Sequence, residues 1–167
     1  MNQLKRYDRA DYDPAWPHIV RAASKAIIRR GGEIAMMYSP REGFYIFPGG
    51  GIEAGEIPAE ALIREVREET GMVVLPETIR EFGVVSEARK DLWADEIYEE
   101  REHFYTCEVE DAVFDPARMV DDETVSGYRA VWVTLDEAIA ANERDIATGR
   151  LWMEKITFVL KLLRDER

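Results

Sequence analysis

The sequence predicts an α/β sandwich built around a mixed sheet. Short segments rich in β-branched and aromatic residues recur near 79–86, 101–109 and 128–133, and these read as strands. Other segments, Pro58–Thr70 most clearly, carry apolar residues at helical spacing. The two kinds of segment mix without strict strand–helix alternation, which points to a mixed sheet covered by helices.

Taken in order, residues 1–17 are polar, contain Pro14 and Pro17, and read as an arm leading into the fold. From Val20 to Arg30 the chain is rich in Ala and Ile, Gly31-Gly32 interrupts it, and Ile34 to Tyr38 resumes apolar. That pattern predicts a hairpin with a glycine turn. Phe44 to Phe47 is a short aromatic strand closed by Pro48 and three glycines. Pro58 suits a first helical position and Gly71 the residue just past a helix end. Between them Ala59, Leu62, Ile63 and Val66 form a buried stripe. Thr134 and Glu137 make a capping box for a helix through about Asn142. A last helix is expected over 145–163, where Ile146, Trp152, Ile156, Val159, Leu160 and Leu163 recur at roughly helical spacing. No internal repeat or low-complexity segment interrupts this order.

Composition narrows the function. The 167 residues fit one domain, 1–167, and 46% apolar residues suffice to fill a core. A net charge of −12 argues against a nucleic-acid polymer as partner, because such binders need basic surface to neutralise phosphates. A small phosphorylated substrate remains compatible if divalent metal sits between the anions. Cys107 is the sole cysteine, so no intrachain disulfide forms, which suits a reducing compartment. The polar start lacks a signal peptide's apolar stretch and no run reaches membrane-spanning length, so the expectation is a soluble, cytoplasmic protein with no membrane partner.

The chemistry is concentrated in residues 50–72, GGIEAGEIPAEALIREVREETGM. Glu65, Glu68 and Glu69 stand at i, i+3 and i+4, and so share one helix face within an arc of roughly 100°. Like charges at this spacing cost about 0.2–0.5 kcal/mol per pair on an exposed helix. A solvated acidic face would explain the glutamates alone. Bound hard cations explain them together with the glycines before the helix, whose backbone can approach a phosphate or metal closely.

The same stretch, with Gly50, Glu56, Arg64-Glu65-Val66, Glu68-Glu69 and Gly71-Met72, resembles the complete signature of the Nudix hydrolases. FYIFPGGGIE resembles the family's usual entry into that motif. A looser resemblance runs from about Arg21 to Ala138. It implies a Nudix-type α/β/α sandwich and a Mg2+-dependent pyrophosphohydrolase, with Mn2+ as substitute, acting on a nucleoside diphosphate linked to another group. It also implies roles. Glu65, Glu68 and Glu69 match the glutamates that hold metal, joined by the carbonyl of Gly49. Arg64 matches an arginine orienting the catalytic glutamates. Glu56 matches a glutamate at the loop–helix junction that can reach metal through water, although a plain salt bridge to Arg64 is an equal rival. Glu65 and Glu69 are both candidates for the base. Trp132-Val133 resembles a landmark after a further acidic ligand, but Ser126 occupies the expected position. Glu123 is the nearest carboxylate, with Glu100 and Glu102 as rivals.

Other residues carry less signal. His18 and His103 lack metal-ligand spacing, and Cys107 reads as a packed thiol. Phe44, Tyr45, Trp93, Tyr98 and Tyr105 are mostly core or surface aromatics with a base-stacking alternative. Arg21, Arg41, Arg89 and Lys90 are solvated cations with a phosphate-binding alternative. The proline that some ADP-ribose hydrolases carry beyond the motif is absent, with Ser86-Glu87-Ala88 in its place. The tyrosine of dinucleoside polyphosphate hydrolases is absent too, at Ala88-Arg89-Lys90, as is the NADH hydrolases' proline-and-tryptophan array. This elimination leaves a generic branch of the family, for which the resemblance implies a nucleoside triphosphate, oxidised ones included, with nucleotide sugars or ADP-ribose as alternatives. A non-catalytic nucleotide-sensing module is the rival of another class. It is disfavoured because every motif glutamate is present. Many relatives pair, so a homodimer stays open.

Overall fold

The computed structural model describes residues 1–110, 113–114, 127–150 and 152–166. One sheet has four strands in the order β1 (Gln3–Asp8), β6 (Arg80–Lys90), β7 (Ile97–Thr106), β2 (His18–Ile27). Strands β6 and β7 pair antiparallel, while β1 with β6 and β2 with β7 pair parallel, so this sheet is mixed as predicted. The second sheet joins β3 (Arg29–Arg30), β4 (Glu33–Tyr38) and β5 (Tyr45–Ile46), with β8 (Arg129–Thr134) on β4. Among the described residues the α-helices are α1 (Pro58–Thr70), α2 (Leu135–Ile146) and α3 (Met153–Asp165).

Strand alternation sends neighbouring residues into two different cores. Ile27, Ile34, Met36, Phe104 and Val133 pack with Leu135, Ile139, Ile156, Val159 and Leu160 of α2 and α3. Their neighbours Ala26, Ile28, Ala35 and Tyr105 pack with Leu62 and Val66 of α1. The strands are thus apolar on both faces and helices cover each, which makes the predicted α/β/α sandwich.

The cap signals are realised. Pro58 opens α1, Gly71 closes it at φ 71°, and Glu60 reaches back to the Ile57 N–H at 3.1 Å. In α2 the Glu137 carboxylate accepts from the Thr134 N–H at 3.2 Å and from its hydroxyl at 2.6 Å.

Four expectations change. The arm of residues 1–17 contains a strand: Gln3–Asp8 pairs with β6, and Leu4 fills the space over Gly83, where a Cβ would lie 2.3 Å from Leu4 Cγ. The predicted hairpin shrinks to Arg29–Arg30 against β4, because β2 pairs with β7 instead. The strand expected at 101–109 runs from Ile97 to Thr106, hidden by its charged Glu99 to Glu102. The helix expected over 145–163 is split: Ile146 ends α2, Gly149 turns at φ 96°, and α3 starts at Met153. Among the described residues no helix is long and apolar enough to cross a membrane.

Candidate active site

Residues Pro48 to Ile52 run beside the edge of β2 that faces away from β7. Ser24 N–H donates to the Gly50 carbonyl at 2.9 Å, Ala26 N–H to Pro48 at 2.8 Å, and Ile52 N–H to Ala22 at 3.0 Å. Two glycines are required by contact. Gly49 sits at φ 125°, and a Cβ on it would stand 2.1 Å from the Ser24 carbonyl oxygen. A Cβ on Gly50 would stand 2.5 Å from a Glu65 carboxylate oxygen. Only glycine lets this backbone come so close to its neighbours.

Arg64 ties the loop to the helix. Its Nε donates to Glu56 Oε1 at 3.0 Å and Nη2 to Glu56 Oε2 at 2.9 Å, a two-pronged pairing. Nη2 also reaches the Gly51 carbonyl at 3.0 Å. Nη1 donates to Glu65 Oε1 at 2.7 Å and Glu68 Oε2 at 3.3 Å. The guanidinium is held more firmly protonated than usual, chiefly by Glu56. In return Arg64, helped by the Glu53 N–H, holds the Glu56 carboxyl below the usual carboxylate range. The expected salt bridge to Glu56 is present, and the same guanidinium holds Glu65 and Glu68.

Glu69 is only 8% exposed, and its Oε2 accepts the Gly49 N–H at 2.6 Å. At the other end of that residue the Lys25 ammonium donates to the Gly49 carbonyl. Among the described residues no three His, Cys, Asp or Glu side chains converge tightly enough to hold an ion as they stand. Glu65 and Glu68 lean on Arg64, and Glu69 on the Gly49 N–H. The donor chemistry nevertheless fits a hard divalent cation: Glu65, Glu68, Glu69 and the Gly49 carbonyl are all oxygen donors beside one loop.

The further acidic ligand expected at Glu123, and Ser126 near it, lie outside the described residues. Its rivals Glu100 and Glu102 project from β7 toward the last helix. The buried Lys155 ammonium stands 2.6 Å from Glu100, 3.6 Å from Glu87 and 3.8 Å from Glu102. Burial pushes the Glu100 carboxyl up, but Lys155 overrides it and the net direction is down. Burial dominates at Glu102 and holds its carboxyl above the usual range.

Of the expected phosphate-binding cations, Arg21 lies at the loop: a Cβ on Gly51 would stand 3.6 Å from its Nη2. Arg89 stacks over Tyr98 at 4.6 Å, Lys90 pairs with Asp95 at 3.2 Å, and Arg41 pairs with Glu42 at 3.4 Å. His18 pairs with Glu99 at 3.1 Å. Burial pushes the Cys107 thiol up to about 12, which fits a packed, unreactive group. Sequence reasoning missed Lys25 and Lys155. The signal for Lys25 was a single charge inside 22–28, a run otherwise uncharged, whereas Lys155, adjacent to Glu154 at the start of 153–160, carried no such signal.

The sequence profile of the NUDIX domain matches residues 18–155. The chain belongs to the NUDIX family. An uncharacterised Nudix hydrolase of Bacillus subtilis is 30% identical over 56 residues, 34% of this chain and 35% of that protein. An ADP-ribose pyrophosphatase of Methanocaldococcus jannaschii is 35% identical over 72 residues, 41% of each chain. The matched stretches thus span well under half the length of these curated relatives. The crystal structure of the MutT protein of Bacillus halodurans shares the Nudix fold with a TM-score of 0.56 at 21% identity, over 72% of each chain.

Proposed function

We propose that this Nudix protein is a divalent-metal-dependent pyrophosphohydrolase acting on a small nucleoside diphosphate derivative. The observation that carries this is the Arg64 hub, which gathers Glu56, Glu65, Glu68 and the Gly51 carbonyl against a glycine loop. Glu65, Glu68, Glu69 and the Gly49 carbonyl are the residues that would hold Mg2+, with Mn2+ as substitute, and Glu56 is a support reached through Arg64. When bound, the metal supplies charge neutralisation of the phosphates and acidification of a water.

Arg64 fixes the direction of two carboxylates before substrate arrives, so little reorganisation is left for the reaction. Glu65 and Glu69 are the two candidates to take a proton from the attacking water. A net charge of −12 supports a small substrate over a nucleic-acid polymer. A nucleoside triphosphate, including oxidised forms, is the first substrate class to try. ADP-ribose is the second, favoured by the similarity to the Methanocaldococcus jannaschii enzyme.

The test is a panel of canonical and oxidised nucleoside triphosphates, ADP-ribose, nucleotide sugars and dinucleoside polyphosphates, each with Mg2+ and read by chromatography. Selective cleavage that needs Mg2+ and disappears in a folded Glu69→Gln variant is the expected result. Tight binding of one compound without turnover of any would overturn it in favour of a sensing module.

A further inference from the structure

Lys25 has no part in the metal reading, although it touches the same loop. Alternation along β2 points Ser24 toward α1, where its hydroxyl donates to the Pro58 carbonyl at 2.6 Å. Lys25 therefore leaves the opposite face, which also carries Arg21 and Ile27. Its ammonium donates to the Gly49 carbonyl, the same oxygen that the donor set offers to a divalent cation. Two cations cannot share one carbonyl oxygen without strong repulsion. When the metal takes it, Lys25 has to find another acceptor.

That acceptor is present. Glu102 is 6% exposed, and its Oε2 is buried without a hydrogen-bond partner among the described residues. Lys155 stands 3.8 Å from that oxygen and gives its hydrogen bond to Glu100 at 2.6 Å instead. In the β2–β7 register Lys25 lies opposite Phe104 and Ala23 opposite Glu102. Glu102 is therefore the diagonal neighbour of Lys25 on one face, a spacing of about 7–8 Å that long side chains span. Lys25 already acts on the Glu102 carboxylate electrostatically.

We propose that Lys25 is a resident counter-cation that holds the Gly49 carbonyl until a divalent ion takes that oxygen, and then pairs with the Glu102 oxygen that accepts no hydrogen bond among the described residues. The inference rests on the Nudix site binding divalent metal. Metal uptake then carries a conformational term, since only molecules with Lys25 withdrawn offer the full donor set. Lys25 and Glu102 are positioning residues in this scheme and touch no reacting atom.

The experiment is Mn2+ binding, followed by the electron paramagnetic resonance signal of free Mn2+, in the full chain without nucleotide. Lys25→Met removes the competitor and should tighten the apparent Kd by about three- to tenfold. Glu102→Gln removes the negative charge that would hold Lys25 in its withdrawn position and should weaken Mn2+ binding several-fold. In the Lys25→Met background the same Glu102 substitution should do much less, because the two residues act as a pair. Arg21→Met removes a cation of the same face that stands 3.8 Å from Glu100, and should move the Kd by less than about twofold.

An unchanged or weaker Kd in Lys25→Met overturns the proposal. Equal tightening in Arg21→Met overturns it as well, since the effect would then be general charge. Equal weakening by Glu102→Gln in both backgrounds overturns it in favour of a direct ligand. Retained near-ultraviolet circular dichroism in each variant shows that folding is not the cause. Wild type that takes up no Mn2+ would bring down the metal reading itself, whereas wild-type binding with unmoved variants removes the counter-cation alone.

Discussion

Arg64 spends all three guanidinium nitrogens on the site, reaching Glu56, Glu65 and Glu68 together. Lysine keeps the charge but lacks the fork. Arg64→Lys should lower kcat/KM by about 10- to 100-fold on the best panel substrate, the usual cost of losing an orienting partner. A stability change alone, with kcat/KM intact, would count against its orienting role. Gly49 is limited by backbone, not chemistry. Gly49→Ala should lose at least about 1–3 kcal/mol in urea unfolding from its φ alone, before its clash with Ser24 is relieved. At Cys107 the sign of the pH effect follows from a raised folded value of about 12. Above the range where a free thiol ionises, the unfolded chain loses its proton while the folded chain keeps it. Stability is therefore full below that range and falls as pH rises toward 12. Native-state thiol labelling at neutral pH should be slow and should speed up only with unfolding.

The elements divide by how local their causes are. Helix α1 was read to the residue because its signals lie within its own span: Pro58 to start, Gly71 to stop, and a stripe facing Ala26 and Ala35. Thr134 and Glu137 did the same for the start of α2. Thr134→Ala should cost about 1 kcal/mol, measured by urea unfolding, by removing that cap. A loss near zero would mean that the packing of Leu135 and Ile139 holds the helix start unaided. Strands were less legible. β7 was expected only from 101, because the partners of its charged run Glu99, Glu100, Arg101 and Glu102, among them Lys155, Arg6 and His18, meet it only in the fold. β1 was hidden for a similar reason, since its partner β6 is 81 residues away at Gln3 and Val84.

Across the whole molecule the buried charges are the costly feature. Lys155 is 1% exposed and is the shared counter-ion of Glu87, Glu100 and Glu102. Breaking such a set by removing one partner is far more damaging than never having built it. Lys155→Met should therefore destabilise the protein by about 3–5 kcal/mol in urea unfolding. Glu100→Gln with Lys155→Met should cost less than the two single losses summed, because one orphaned charge then disappears.

The residues of the motif determined α1, its glycine loop and the chemistry of the face carrying Glu65, Glu68 and Glu69, since spacing along one helix fixes which side chains share a side. Family membership was legible for the same reason. What only the tertiary structure decided was everything that depends on contacts distant in sequence. The parallel pairing of β2 with β7 sets Lys25 beside Glu102, and the docking of α3 brings Lys155 under Glu100. Neither juxtaposition has a local sequence signal, because each joins residues on separate elements whose register is settled only when the two cores close.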